Sequence, residues 1–278
     1  MLRLSGFADE IGPSLDEQIR VCQATGVTHF ELRGVEGVNV LAFSPAQVKA
    51  FRAKIDDAGM GVVSIGSPCG KKPIDTPRHE LLDLFKVAIE RAHEFGAPLI
   101  RVFSYYPEGG EGRGPVEPIR ERVIDLLRAQ CEMLDGTAVT MVHENEKGIF
   151  GDIGPRCVDL MTTINHLKLR FAFDFANFVQ SGQDPLATWP ALKPFVTHIH
   201  IKDALKAGGK VVPAGQGDGS IALILKDAYA SGYRGFLSLE PHLKVAGHSG
   251  GVTGTDLWKT AVDALRSVCR SIDVPLAS

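Results

Sequence analysis

The chain has 278 residues, 44% hydrophobic and 23% charged, which is the composition of a folded globular protein and excludes an intrinsically disordered one. A formal net charge of −3 at pH 7 gives no general attraction to phosphate backbones or anionic lipid, so neither nucleic acid nor a membrane surface is an expected partner. Cys22, Cys69, Cys131, Cys157 and Cys269 are scattered and form no CxxC pair, which argues against a disulfide framework or a thiolate zinc site.

No segment reads as a signal peptide or a membrane span, so a soluble cytoplasmic protein is expected. Short β-branched or aromatic runs recur, each followed by helical periodicity. The first is Leu2–Phe7, leading into the helical stretch 14–26; His29–Leu32 leads into 44–59, and Gly61–Ile65 into 78–96. Leu99–Phe103 leads into 116–136, and Ala138–His143, Leu169–Phe173, Val196–Ile201 and Phe236–Leu239 complete eight strands. Several helical stretches end in glycine, a common C-terminal signal. No linker divides the repeat, so residues 1–278 are expected to form a single (β/α)₈ TIM barrel of the α/β class, with a doubly wound open sheet as the alternative. The glycine-rich pieces Gly109–Gly114 and Gly247–Gly254 are expected as loops on the active face.

Strand side chains alternate between two faces, and the two sets can be compared across the repeat. Val142, Glu144 and Glu146 share one face against Val139, Met141 and His143; Ala172, Asp174 and Ala176 oppose Phe171, Phe173 and Phe175. His198, His200 and Lys202 oppose Ile199 and Ile201, and Ser238, Glu240 and His242 oppose Leu237 and Leu239. Glu31 and Arg33, and likewise Arg101, oppose apolar neighbours in the same way. The apolar set must pack on the helices, so the polar set faces the lumen, and it falls late in the strands where this architecture carries active sites. Glu144, Asp174, His200 and Glu240 would then converge, and a divalent cation is the economical way to neutralise them. Oxygen-rich ligation with one imidazole favours Mn²⁺, Mg²⁺ or Co²⁺, with Zn²⁺ still open. The competing arrangement is a set of buried ion pairs with Arg33, Arg101 and Lys202. His143 is expected to point into the helix layer, and His198 to lie deeper than His200 as a satisfied lumen residue.

The stretches HENEKGIFGD (143–152), FDFANF (173–178), HIHIKDA (198–204), PAGQGDG (213–219) and FLSLEPHL (236–243), with SGFADE (5–10), ELRG (31–34) and SPCGK (67–71), resemble the xylose isomerase-like TIM-barrel superfamily of sugar isomerases and epimerases. The resemblance implies that Glu144, Asp174, His200 and Glu240 bind the metal, and that Glu144 and Glu240 move the substrate proton. Two departures stand out: Glu146 and Asn177 occupy positions where ketose epimerases of the group carry histidine. Asn177 can hydrogen-bond a sugar hydroxyl but cannot shuttle a proton.

The function expected from these residues is a metal-dependent isomerase or epimerase of a sugar, keto-sugar or sugar phosphate, acting through an enediolate. A keto-sugar or inosose dehydratase is the alternative, and an endonuclease IV-like phosphodiesterase a remote one, short of histidines and of a basic face. A small carbohydrate is the expected partner, and a homo-oligomer remains open. Candidate substrate contacts are Arg33, Lys71, Arg101, Glu146, Arg156, Asn177, Lys202 and His242, with Lys202 and Asp203 also expected to organise the loop after the seventh strand.

Overall fold

A computed structural model describes residues 1–245 and 250–277. Eight strands, β1 (Arg3–Gly6), β2 (His29–Leu32), β3 (Gly61–Ile65), β4 (Leu99–Val102), β5 (Thr140–Glu144), β6 (Leu169–Asp174), β7 (Val196–Ile201) and β8 (Phe236–Leu239), pair in parallel in sequence order. β1 closes on β8 through Arg3 to Gly6 against Phe236 to Leu239, so the sheet is a closed barrel and not an open one. Around it lie α1 (Leu15–Ala24), α2 (Pro45–Asp57), α3 (Arg78–Phe95), α4 (Arg120–Met133), α5 (Gly154–Ile164), α6 (Phe175–Gln180), α7 (Pro185–Leu192), α8 (Ile221–Ala230) and α9 (Thr255–Ser271). Among the described residues no helix is long and apolar enough to cross a membrane.

Local chemistry sets these limits. Ser44 and Gln47 form a reciprocal capping box ahead of Pro45, which opens α2, and Gly96 closes α3 in the left-handed region at φ 65°. Four strands, β1, β4, β5 and β6, differ at their ends from the sequence expectation, and β4 stops at Val102, one residue short of Phe103. Val139 donates its N–H to the Thr137 hydroxyl and its carbonyl accepts from Lys168, so β5 begins at Thr140 and runs on to Glu144. Phe7 leaves β1 for a short turn over Ala8–Glu10, and β6 continues to Asp174.

The outward sets form the barrel's apolar jacket. Phe173 packs against Phe175, Phe178 and Trp189 at ring-centre distances of 5.2, 5.1 and 5.2 Å. Where β1 meets α9, Gly6 leaves room for Trp258: a Cβ there would lie 2.7 Å from its ring. The lumen is polar instead. Ser5, Glu31, Ser64, His198 and Ser238 are wholly or almost wholly buried there, beneath the carboxyl ends of the strands.

The stretch 67–71 is strapped beside β4, because Phe103 and Tyr105 donate their N–H groups to the carbonyls of Cys69 and Gly70. Gly70 has φ +87°, and a Cβ on it would lie 2.1 Å from the Phe103 carbonyl oxygen. Gly70→Ala is therefore expected to cost more than about 2 kcal/mol, read as a fall in Tm of about 5 °C or more.

Candidate metal centre

The barrel register brings the four predicted residues together. Glu144 ends β5 and pairs with Ala172, Asp174 two residues further on pairs with His200, and His200 pairs with Ser238, two residues before Glu240. One donor atom from each of Glu144, Asp174, His200 and Glu240 lies within 4.8 Å of the others, and all four residues are buried.

Their backbone is held tightly. Asn145 exchanges two 3.0 Å hydrogen bonds with Asp174, donating to its carbonyl and accepting from its N–H. The Asp174 carboxylate caps α6 by accepting from the Asn177 N–H at 2.7 Å. Asn177 Nδ2 donates to the Asn145 carbonyl at 2.8 Å and to Glu144 Oε1 at 3.2 Å, so its amide is committed to holding the site.

His200 has two different sides. Nε2 lies 3.1 Å from Glu31 Oε2, whereas Nδ1 lies 3.2 Å from Glu144 Oε1 and 3.8 Å from Glu240 Oε2. Glu31 Oε2 also accepts from Ser238 at 2.7 Å and lies 2.8 Å from His198 Nε2. A carboxylate on one imidazole nitrogen fixes the ring and leaves the other free to ligate.

Cations surround the carboxylates. Lys202 Nζ lies 3.0 Å from Asp174 Oδ2 and 3.1 Å from Glu240 Oε2. Arg101 Nη1 lies 3.3 Å from Glu144 and 3.5 Å from Glu240, and Arg33 Nη1 lies 3.3 Å from Glu240. Both guanidiniums sit over the Phe7 ring, at 4.6 and 4.7 Å. Burial, reinforced by Glu144 and Glu240, pushes the Asp174 carboxyl up to about 7 despite Lys202. Burial would pull His200 down, but Glu31 and Glu144 outweigh it and hold the imidazole well above its ordinary value. For Glu240, Lys202 and His242 outweigh burial and hold the carboxyl well below the usual range.

The donor set fits a divalent ion. Glu144 Oε2, Asp174 Oδ2 and His200 Nδ1 are buried, belong to the quartet and meet their charged neighbours in ion-pair contact without hydrogen-bond geometry, which leaves them as donors an ion would satisfy. A second grouping, Glu10, Glu240 and His242, lies beside Arg33, whose Nη2 is 3.6 Å from Glu10 Oε1 and whose Nη1 is 3.3 Å from Glu240 Oε1.

The other candidate residues divide. Arg33, Lys71, Arg101, Glu146, Lys202 and His242 line one cavity of about 240 Å³ with Glu240, and Asn177 lies in an adjoining one. Lys71 pairs with Glu146 at 2.9 Å. Arg156 is not brought to this cavity; its guanidinium binds Asp152 and Glu117 and its Nε donates to the Phe150 carbonyl. Lys202 points at the carboxylates, and loop organisation falls to Asp203 alone, which accepts the N–H groups of Ala204, Gly215, Gly217 and Gly219 at 2.9 to 3.0 Å. Asp203→Ala is expected to free those donors and speed amide hydrogen exchange across residues 213–219 by tenfold or more, on the order of the cost of several lost bonds. His143 lies in the helix layer beside Phe171, and burial lowers its imidazole to about 3. Of the glycine-rich pieces, 109–114 follows the carboxyl end of β4 as expected, and residues 246–249 of the second lie outside those described.

Sequence reasoning missed Glu10. Its buried carboxylate accepts from the His242 N–H at 2.9 Å and the Thr253 hydroxyl at 2.6 Å, and lies 3.2 Å from His242 Nε2. It holds His242 in a left-handed backbone at φ 46°. Only its place in the SGFADE stretch marked it.

A closed parallel eight-stranded barrel with three carboxylates and an imidazole at the carboxyl ends of its strands defines the class of protein. The family described as xylose isomerase-like TIM barrel matches residues 19–268, and the chain belongs to it. A 3-dehydroshikimate dehydratase of Bacillus anthracis is 25% identical over 88 residues, which are 32% of this chain and about a third (31%) of the length of that relative. A D-tagatose 3-epimerase-like protein superposes with a TM-score of 0.77 at 15% identity over 98% of both chains. A xylose isomerase-like TIM barrel protein from Mycobacterium smegmatis, solved in complex with magnesium, superposes with a TM-score of 0.72 at 15% identity over 98% of this chain and 97% of its own.

Proposed function

We infer that this protein is a divalent-metal-dependent enzyme that moves a proton on a carbon next to a carbonyl of a sugar-like substrate, as an isomerase or epimerase. The observation that carries this reading is the pair Glu144 and Glu240, two buried carboxylates brought to one site by β5 and β8 and bridged by Arg101 and His200. Glu144, Asp174, His200 and Glu240 would hold the ion, which when bound polarises a substrate carbonyl and its neighbouring hydroxyl.

The protein's own groups do the rest. One of Glu144 and Glu240 takes the C–H proton as general base, and the other returns a proton to the same carbon from the opposite face for epimerisation, or to the neighbouring carbon for isomerisation. Arg33 and Arg101, each with a carboxylate partner, face the cavity and orient substrate oxygens. The magnesium complex of the M. smegmatis protein supports an oxygen-preferring ion, with Mn²⁺, Mg²⁺ and Co²⁺ the ions to test.

A lyase is the second reading, favoured by two observations. Asn177, locked onto Glu144 and Asn145, cannot carry a proton where epimerases of the group use histidine, and the dehydratase relative catalyses an elimination by its name. In D₂O with Mn²⁺, an isomerase or epimerase is expected to incorporate deuterium next to the carbonyl of a ketose without developing ultraviolet absorbance. A lyase develops an absorbing enone or diketone. A broad ketose panel showing neither signal would refute both.

A further inference from the structure

The 240 Å³ chamber at Glu240 is small for a ligand site, since such pockets commonly run from about 300 to 1,000 Å³. It opens beside a second cavity of about 620 Å³, and the two share Glu146, Lys202 and His242 in their walls. The outer cavity is bounded by Lys147 in the loop after β5, by the α6 end from Asn177 to Gly182, and by the turn at residues 206–211. An occupant whose reacting end reaches Glu240 thus has space for a further part in the outer cavity.

The charge of that outer space is one-sided. Its lining carries Lys147, Lys202, Lys206 and His242 against the single carboxylate of Glu146. Lys202 is committed to Asp174 and Glu240, and Glu146 to Lys71. Among the described residues, neither the Lys147 nor the Lys206 ammonium meets a carboxylate within ion-pair distance. The two lysines stand on different loops: Lys206 N–H donates to Asp218 at 2.6 Å, which ties its turn to the chain twelve residues on, and Lys147 N–H donates to the side chain of the adjacent Glu146 at 3.1 Å. Gln180 Nε2 donates to the Gly209 carbonyl at 2.8 Å, tying α6 to the turn that presents Lys206. Gly182, Gly208 and Gly209, all with positive φ, put no side chain into the space.

We propose that the outer cavity is an anion subsite, in which Lys147 and Lys206 bind a phosphate or carboxylate at the end of the substrate remote from Glu144 and Glu240. The proposal rests on the keto-sugar reading and narrows it to an anionic sugar derivative. Lys147 and Lys206 are solvent-exposed residues at the wall of this cavity, where two cations beside one cleft attract an anion and salt weakens that attraction.

The test is calorimetric titration of the Mn²⁺-loaded protein with D-fructose, D-fructose 6-phosphate, D-fructuronate and inorganic phosphate, at low and high salt. At low salt at least one charged ketose is expected to bind tenfold or more tightly than fructose, with that advantage falling at about 0.5 M salt, where the Debye length shrinks to about 4 Å. Phosphorylated and carboxylated probes tell the two anions apart. In the double variant Lys147→Ala, Lys206→Ala the ratio of charged to neutral affinity should fall below twofold, with the Tm of the variant as the check on folding. Equal affinities in the unaltered protein, an advantage that survives in the double variant, or binding by none of the four probes would each overturn the proposal. Calorimetry reads the subsite without turnover, so absent deuterium exchange beside an intact charge preference would sink the catalytic reading alone.

Discussion

Glu240→Gln is expected to abolish ion retention and turnover while leaving the barrel folded. After gel filtration the unaltered protein should carry about one equivalent of divalent ion and the variant less than about a tenth, because an amide oxygen is a much poorer ligand than a carboxylate. Deuterium exchange into a ketose should fall by about a thousandfold or more, the combined loss of a positioned base and of the ion it holds. The fold survives because every cation around Glu240 keeps a second carboxylate: Lys202 has Asp174 at 3.0 Å, Arg33 has Asp9 at 2.8 Å, and Arg101 has Glu144 at 3.3 Å. Removing the last partner of a buried charge would cost about 3–5 kcal/mol, and none is left alone here. A Glu240→Gln protein with full ion content and ordinary exchange would rule out Glu240 as ligand and base together.

Glu31→Gln should produce the next largest change although Glu31 is no part of the quartet. The neutral amide removes the negative charge that faces His200 Nε2 at 3.1 Å, and with it the group that keeps Nδ1 directed at Glu144 and Glu240. Outer partners of this kind are worth about 10- to 100-fold in metal affinity, so the Mn²⁺ dissociation constant measured by titration should rise by that factor. A purely structural role predicts a lower Tm for the ion-free protein and an unchanged dissociation constant, so the pair of measurements separates the two. The visible spectrum of the Co²⁺-loaded variant gives a further check on how His200 is held.

How much of this could be seen in the chain itself follows from distance along it. Glu144, Asp174, His200 and Glu240 were legible because strand alternation has a period of two and each sits among apolar neighbours of opposite parity, such as Phe173 beside Asp174 and Ile199 and Ile201 around His200. Eight strand and helix alternations pointed to a barrel but left an open sheet as the alternative, which the pairing of β1 with β8 excludes; the structure moved a few strand ends, as where the Thr137 and Lys168 side chains take the backbone groups of Val139. Glu10 and Glu31 were harder because their partners are remote: Glu10 meets His242 across 232 positions and Glu31 meets His200 across 169. No local pattern encodes such a pairing. Arg156 misled for the opposite reason, since a basic residue after a glycine-containing loop reads as a ligand contact when its local partner Asp152, four residues earlier on the chain, has already claimed it.

The four donors come from four separate stretches of backbone, each anchored in sheet or immediately beyond it, whereas the lysines of the outer cavity ride on excursions between those stretches. Evolution or an engineer can therefore rewrite the excursions, and with them the molecule that is accepted, while the chemical apparatus stays in register. Exchanging the 147–153 or 205–211 segments for those of a relative, with Asn145 kept for its bonds to Asp174, becomes a practical route to altered selectivity with an inherited reaction.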